Sequence, residues 1–130
     1  MKRKTGRGPK DKGRDYENEV QAAILAKLGS LSPNDISVRA MGDPGVDLLL
    51  SDMARELFPL AAELKRTEHL ELYKSLAQAE IHGKKEGLAP ALIFRRNRSK
   101  SYVILQLDTL LDLLAERAFD RGYSSGWGVR

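Results

Sequence analysis

The chain has 130 residues, of which 42% are hydrophobic and 31% charged, and its formal net charge is +4. This length and composition predict one compact domain with a real hydrophobic core. The sequence shows no apolar run long enough to span a bilayer, no secretory-type apolar stretch near its start, and no cysteine for disulfides or thiolate metal sites. We therefore expect a cytosolic protein, which is located in the cytoplasm of its own cell or, if it is viral, in the cytoplasm of the infected host.

The positive charge is concentrated near the N-terminus. Residues 1–14 hold seven basic side chains and one acid, a charge of +6, so the remaining residues sum to −2. A basic arm on a nearly neutral body predicts a polyanionic partner, most often nucleic acid, although a solubilising tail has the same composition. The candidate DNA-binding residues are Lys2, Arg3, Lys4, Arg7, Lys10, Lys12, Arg14, Arg39, Arg95, Arg96, Arg98 and Lys100.

The first half of the chain is predicted to contain one helix and three strands. Glycines and a proline among the charges of residues 1–14 favour a flexible arm. Apolar residues at every fourth position from Tyr16 to Leu28 predict a helix over about 15–28. Short strands are expected at 36–40, 46–50 and 57–64, with a turn at 51–55.

The second half is predicted to add a helix, a hairpin and a final helix. Tyr73, Ala77 and Ile81 lie four residues apart and predict a helix over about 71–86. Strands at 91–95 and 102–107 enclose a basic loop. Asp108 is a suitable N-cap for a helix rich in leucine, and those leucines are either buried in the monomer or form a dimer seam.

The order of these elements is α-β-β-β-α-β-β-α. That order predicts an α/β fold in which a mixed central β-sheet is flanked by helices. We expect three regions: a basic arm at 1–14, a folded domain at 15–118 and a glycine-rich tail at 119–130 that contains Trp127.

Two acids and a lysine interrupt apolar strands in the middle of the chain. Asp47 precedes three leucines, and Glu63 and Lys65 point to the same face of the next strand because side chains alternate along a strand. If these strands form a hairpin, the two carboxylates lie close together and repel each other unless a cation lies between them. A hard divalent cation with oxygen ligands fits that position. The alternative is a structural salt bridge to Lys65.

A third carboxylate is found on the first predicted helix. At about 100° per residue, Glu17 projects onto the apolar stripe of that helix, whereas Glu19 projects to the opposite side. An acid on an apolar stripe is costly unless it is paired or binds a metal, so Glu17 is the candidate third acid of the site. Its location near the helix N-terminus offers another explanation, because carboxylates are favourable there.

An acid followed by Glu-x-Lys, with a helix upstream, resembles the PD-(D/E)XK nuclease superfamily. Within it, the chain is similar to the archaeal-type Holliday junction resolvases, which open with a basic segment and a Lys-Gly-x-x-x-Glu motif. Here that motif spans Lys12 to Glu17, and a Val-Arg-Ala motif follows at Val38 to Ala40. The resemblance covers roughly residues 10–107 and implies a restriction-endonuclease-like fold.

The resemblance also implies roles for individual residues. Asp47 and Glu63 would bind Mg²⁺ or Mn²⁺, with the carbonyl of Leu64 as a further ligand. Lys65 would assist the attacking water, and Glu17 would complete the acidic cluster as a catalytic and metal-binding residue. Gln78 matches a polar position that faces the site in this superfamily, although a solvated helix glutamine is an equally simple interpretation. The family acts as a homodimer on four-way DNA junctions.

Some features depart from that pattern or stay unassigned. The loop before Asp47 is shorter than in the archaeal enzymes and has Asp43 near the position of their serine, so Asp43 is either a supporting group or a turn residue. His69 and His82 are thirteen residues apart and lack the spacing of a zinc pair, so neither is assigned a metal role.

These observations favour a metal-dependent endonuclease that resolves four-way junctions. A restriction- or repair-type endonuclease of the same superfamily is one alternative. A non-catalytic DNA-binding protein with a structural salt bridge is the other.

Overall fold

The computed structural model describes residues 9–40 and 43–123, which form four helices and five strands. The helices are α1 (Pro9–Lys27), α2 (Asp52–Leu57), α3 (Leu72–Glu86) and α4 (Leu107–Asp120). The strands are β1 (Ile36–Val38), β2 (Leu48–Leu50), β3 (Leu60–Arg66), β4 (Ala89–Arg95) and β5 (Tyr102–Leu105). In the described part of the chain, no helix has both the length and the apolar character that a membrane crossing requires.

The strands form two sheets rather than one central sheet. β1 pairs antiparallel with β2, and β3 pairs parallel with β4 along its whole length. β4 in turn pairs antiparallel with β5, so the second sheet is mixed and β3 is one of its edges. α3 connects the two parallel strands, as a parallel pair requires. The predicted mixed α/β class is therefore confirmed, but the division into two sheets was not predicted.

The predicted stripe of α1 fills the core between the sheets. Tyr16 and Val20 are buried, and Ile24 and Leu28 pack against the same cluster. The buried members of this cluster are Tyr16, Val20, Leu31, Ile36, Leu48, Ala54, Ala62 and Leu64. Burial of one such large side chain contributes about 1.5–3 kcal/mol, so this cluster stabilises the packing of α1 against the strands.

α1 begins at Pro9, six residues before the predicted start, and Gly13 lies within it. Proline suits the first turn of a helix because its missing N–H has no partner there in any case. The predicted flexible arm is therefore helical over 9–14. Its division from the rest of the domain stays a prediction, since residues 1–8 lie outside the described part.

The region after β2 differs from the predicted turn at 51–55, whereas the strand predicted at 57–64 is present as β3 and begins three residues later. The region forms α2, whose N-cap Ser51 accepts a hydrogen bond from the Ala54 N–H at 3.0 Å. The Ser51 hydroxyl also donates to Asp35 at 2.7 Å. This capping, together with the complete burial of Ala54, favours a helix over the turn that the polar residues suggested.

α3 buries a different face from the apolar stripe on which its prediction rested. Tyr73 and Ile81 are 81% and 60% exposed, whereas Ser75, Ala79 and Gly83 are buried. These small residues, four positions apart, allow α3 to approach the sheet closely. Hydrophobicity alone selected the wrong face because the close approach favours small side chains over large ones.

α4 is built as a helix with a leucine-rich side, but its start differs from the prediction. The N-cap is Gln106, and Asp108 lies in the first turn, where its charge favours the helix dipole. No residue described in α4 is buried. Its exposed large apolar residues are Leu107, Leu110, Leu111, Leu114 and Phe119.

Replacing Gly83 by alanine tests the close contact of α3. A Cβ there would lie 2.8 Å from the carbonyl oxygen of Leu88 and 3.3 Å from the Pro90 side chain. We expect Gly83→Ala to lower the free energy of unfolding by about 1–3 kcal/mol, although alanine is ordinarily the better helix former. The matched control is Gly13→Ala in α1, where a Cβ meets nothing within 4 Å. Gly13→Ala should raise the free energy of unfolding, measured by urea denaturation, by up to about 1 kcal/mol. Equal effects of the two substitutions would contradict this interpretation.

Candidate active site

Asp47 joins the two sheets at the open edge of β3. Its backbone N–H donates to the carbonyl of Ala62 at 3.1 Å, and its carboxylate Oδ2 accepts the N–H of Leu64 at 2.7 Å. The predicted hairpin of β2 and β3 is therefore wrong, since β2 pairs with β1. Its consequence is nevertheless correct, because Asp47 lies beside Glu63, the residue between its two partners on β3.

The backbone of β3 also directs a carbonyl group towards Asp47. In a strand, the N–H and C=O of one residue point to the same side. Since the Leu64 N–H points to Asp47 rather than to β4, the Leu64 carbonyl faces the same open edge. The carbonyl oxygen of Leu64, which was predicted as a metal ligand, thus points to the side on which the Asp47 carboxylate lies.

Glu63 is buried, and its carboxylate is hydrogen-bonded to a side chain of α3. Its side chain is 5% exposed, and its Oε1 atom lies 2.8 Å from Nδ1 of His82. The structure gives its other oxygen, Oε2, no hydrogen bond from a described residue. One carboxylate oxygen of Glu63 is therefore held by the protein and one is available to another ligand.

Glu17 and Lys65 complete a compact group of charges. Glu17, on α1, is half-buried, and its pKa is raised by burial and by the nearby Glu63, against the opposing effect of Arg14. Lys65, on the same face of β3 as Glu63, lowers the pKa of Asp47 through its positive charge. The helix-wheel argument for Glu17 therefore agrees with where the structure places it. Its metal-binding and catalytic role stays a prediction.

The Asp47 carboxyl group has the most strongly altered acidity of the site. Its pKa is raised to about 7, chiefly by burial and further by the charges of Glu63 and Glu17. The hydrogen bond from Leu64 and the charge of Lys65 act in the opposite direction. Three acids thus crowd one edge of the sheet with too little positive charge from the protein to balance them.

This donor set fits a divalent cation that is only partly coordinated by protein. In the described part of the chain, no group of three or more His, Asp or Glu side chains is placed to hold a metal ion, so the protein could supply two carboxylates at most. Asp47 and Glu63 each keep a carboxylate oxygen without a described hydrogen-bond partner. Mg²⁺ is commonly bound through one or two carboxylates, with water and phosphate filling the other positions. The residues therefore fit a Mg²⁺- or Mn²⁺-type site.

The loop that precedes Asp47 is fixed by Arg39. The guanidinium Nε donates to the carbonyl of Val46, and the group lies against Gly45, where a Cβ would be 2.9 Å from Arg39 Cζ. Gly45 has φ of +117°, which other residues rarely adopt. Asp43 donates its backbone N–H to the carbonyl of Ala40 at 3.1 Å. This bond agrees with the interpretation as a turn residue, and the alternative of a supporting group stays a prediction.

Not every predicted site residue lies beside the acids. Gln78 is exposed on α3, and the acids are contacted from that helix by His82, one turn further along. The predicted role of Gln78 therefore stays a prediction without a contact to support it.

His82 is the site residue that the sequence analysis missed. It was judged only as a zinc ligand paired with His69. The available signal was its location three residues after Ala79 and seven after Ser75, which places it on the small-residue face of α3. That face could be recognised only once the sheet contact was known.

The predicted DNA-binding residues divide into three groups. Arg14, Arg96, Arg98 and Lys100 are exposed, the last three at the tip of the β4–β5 hairpin. Arg95 is turned towards α1, and Arg39 is hydrogen-bonded within the loop before Asp47. The residues Lys2, Arg3, Lys4 and Arg7, the side chains of Lys10 and Lys12, and Trp127 lie outside the described part of the chain.

Arg95 makes intramolecular contacts with α1. It donates two hydrogen bonds to the carboxylate of Glu19, at 2.8 and 3.1 Å, and its guanidinium lies 5.4 Å from the ring centre of Tyr16. Only 14% of its side chain is exposed. These contacts tie the β4–β5 hairpin to the helix that carries Glu17.

Comparison with known families gives one match. The family model described as "Phage putative PDDEXK endonuclease" matches residues 8–124, which is most of the chain. Searches of curated proteins and of solved structures gave no match.

The raised pKa of Asp47 predicts how stability depends on pH in the absence of metal. The folded state binds the proton more tightly than the unfolded state, so stability is fully present below about pH 4 and falls as pH rises to about 7. One pKa unit corresponds to about 1.4 kcal/mol, so the loss is at most about 4 kcal/mol. Asp47→Asn should remove most of this loss, whereas Asp112→Asn on the exposed side of α4 should not. Urea unfolding in EDTA at pH 5 and pH 8 measures both. If the free energy of unfolding of Asp47→Asn falls between pH 5 and pH 8 by as much as that of the wild type, the prediction is contradicted.

Proposed function

This chain belongs to the family of phage putative PDDEXK endonucleases, and from that premise we propose that it is a metal-dependent endonuclease acting on four-way DNA junctions. The observation that carries the nuclease activity is the crowding of three acids and a lysine at the edge of β3. The finer proposal, a junction substrate, is supported by the motif order from Lys12 through the Val-Arg-Ala segment to Lys65, which resembles the archaeal-type resolvases.

The positions of the residues support a role for each of them. Asp47 and Glu63 would hold Mg²⁺ or Mn²⁺, together with the carbonyl of Leu64, and Glu17 would add negative charge from α1. A bound divalent ion lowers the pKa of its water and neutralises charge on a phosphodiester. Burial of Glu63 and the hydrogen bond from Leu64 to Asp47 fix both carboxylates before a substrate arrives. This preorganisation reduces the reorganisation needed during the reaction.

Lys65 supplies a positive charge to the same face. Its ammonium group would orient the attacking water or stabilise the negative charge that develops on the phosphate oxygens. It is half-buried, which strengthens its electrostatic effect compared with a fully exposed lysine. Lys65 would not bind the metal itself, because an ammonium group has no lone pair to offer.

A junction has two strands to be cut, which favours a homodimer with two sites. We propose that α4 provides the dimer surface. Five large apolar residues of this helix are 43–68% exposed, which is unusual for a surface that remains in water. Light scattering of the purified protein should therefore give twice the mass of one chain, and a monomeric mass would overturn this part of the proposal.

Cleavage assays separate the candidate activities. The protein is incubated with a four-way junction and with linear duplexes of the same arms, in Mg²⁺ or in EDTA. Asp47→Asn, Glu63→Gln and Lys65→Ala should each lower the cleavage rate at least about 100-fold, since each removes a charge at the reacting phosphate. Glu56→Gln, an exposed residue of α2, is the matched control and should cut normally.

The substrates decide the rest of the assignment. Preferential cutting of the junction supports the resolvase function. Equal cutting of junction and duplex would overturn it and favour a restriction- or repair-type endonuclease. Absence of metal-dependent cutting by the wild-type protein would overturn the nuclease proposal and favour a DNA-binding protein without catalytic activity.

The tip of the β4–β5 hairpin is proposed to bind the DNA backbone. Arg96 and Lys100 are exposed there, and Arg98 adopts the left-handed conformation, with φ of 59°, that shapes the tip. Each phosphate contact adds about one to the slope of log affinity against log salt concentration. We expect Arg96→Gln with Lys100→Gln to lower that slope by about two in fluorescence-anisotropy titrations. Lys84→Gln with Lys85→Gln on α3 is the control, with an equal loss of charge and an unchanged slope. Equal slopes in both double variants would contradict a specific role for the tip.

A further inference from the structure

The second carboxylate of the acidic cluster is held by a histidine from another element. His82 lies on the face of α3 that packs against the sheet, and its side chain is 15% exposed. Its Nδ1 atom is 2.8 Å from Oε1 of Glu63, whose side chain is 5% exposed. This contact is therefore almost fully removed from water and spans nineteen positions of the chain.

The chemistry of the two groups fixes the direction of this hydrogen bond. An ionised carboxylate has only acceptor atoms, so Nδ1 must carry the proton and donate it. The donated bond involves Oε1, and Oε2 is left for a ligand outside the described residues. Glu63 can therefore offer one defined oxygen, rather than two interchangeable ones, to a cation between it and Asp47.

Without the hydrogen bond from His82, the Glu63 carboxylate would have to be ordered when the metal binds. A glutamate side chain loses about 1.5–2 kcal/mol of rotamer freedom when it is fixed. In metalloproteins, hydrogen-bond partners that orient a ligand typically alter metal affinity 10- to 100-fold. His82 occupies the corresponding place here, behind the carboxylate and on a rigid helix.

We propose that His82 is a positioning residue: by donating its Nδ1–H to Oε1, it orients Glu63 so that Oε2 is presented to the metal. The inference rests on the proposed metal-dependent function of the site and adds to it the residue that fixes one of the ligands. His82 itself contacts neither the metal nor the substrate in this arrangement. Its contribution is expected in metal affinity more than in the rate at saturating metal.

Two substitutions separate this role from others. In His82→Asn the amide nitrogen occupies the place of Nδ1 and keeps the donor, but no atom replaces Nε2. In His82→Leu the donor is lost while an apolar side chain of similar size remains. His69→Leu is the matched control, because His69 is the other histidine of the chain and is exposed.

Metal binding is measured directly, without DNA, by titrating each protein with Mn²⁺ and following the free ion by electron paramagnetic resonance. We expect His82→Leu to weaken Mn²⁺ binding about 10- to 100-fold and His82→Asn to remain within a few-fold of the wild type. His69→Leu should match the wild type. In junction cleavage, His82→Leu should need more metal for half-maximal rate, with a smaller change in the rate at saturation.

Each result bears on the proposal. Equal weakening in His82→Asn and His82→Leu would overturn it, since the essential atom would then be Nε2. Unchanged Mn²⁺ binding in His82→Leu would also overturn it. If His82→Leu fails to fold, His82→Gln takes its place, because its amide lies one atom further out and misplaces the donor; wild-type affinity in that variant overturns the proposal.

The failure of the metal site itself is recognisable separately. Asp47→Asn in the same titration should abolish strong Mn²⁺ binding. If the wild type binds Mn²⁺ and Asp47→Asn does not, the metal site exists. Unchanged Mn²⁺ binding in His82→Leu then contradicts only the positioning role of His82. If the wild type binds no Mn²⁺, the proposed function and this inference both fail.

Discussion

The structure depends on one connection, the attachment of Asp47 to the edge of β3. The backbone of Asp47 bonds to Ala62, and its side chain bonds to the N–H of Leu64. These two bonds satisfy edge groups of β3 that would otherwise need water, and they join the β1–β2 sheet to the mixed sheet. The same bonds bring an acid next to Glu63. A single residue therefore makes the structural contact and, on the proposed function, would also bind the metal, and its carboxylate is held in a buried position where ionisation is unfavourable.

The acidic cluster is built from three directions. Asp47 comes from the loop fixed by Arg39, Glu63 and Lys65 come from an edge strand, and Glu17 comes from α1. Each of these elements is anchored elsewhere: α1 through its core stripe and through the bond of Glu19 to Arg95, and β3 through its full pairing with β4. The unfavourable free energy of placing the acids together is thus offset by the packing of the whole domain. On the proposed function, a bound cation would relieve the repulsion between these carboxylates.

Two surfaces of the protein have features that the packing of its own core does not explain. The hairpin tip carries exposed positive charge on the end of two paired strands. α4 carries exposed leucines and buries none of its described residues. On the proposed function, the first surface would meet the DNA backbone and the second would meet another copy of the chain. Both lie outside the acidic cluster, so changes in either are expected to affect binding before they affect the chemistry.

The sequence by itself determined the α/β class and the buried stripe of α1, and it selected Asp47, Glu63, Lys65 and Glu17 as candidates for one site. These follow from short-range periodicity and from the cost of placing acids among apolar residues. The tertiary structure alone decided that β2 pairs with β1 rather than β3, that α3 buries Ser75, Ala79 and Gly83, and that His82 contacts Glu63. Those outcomes depend on distant groups and on how closely two elements approach, neither of which is encoded in the spacing of residues along one element.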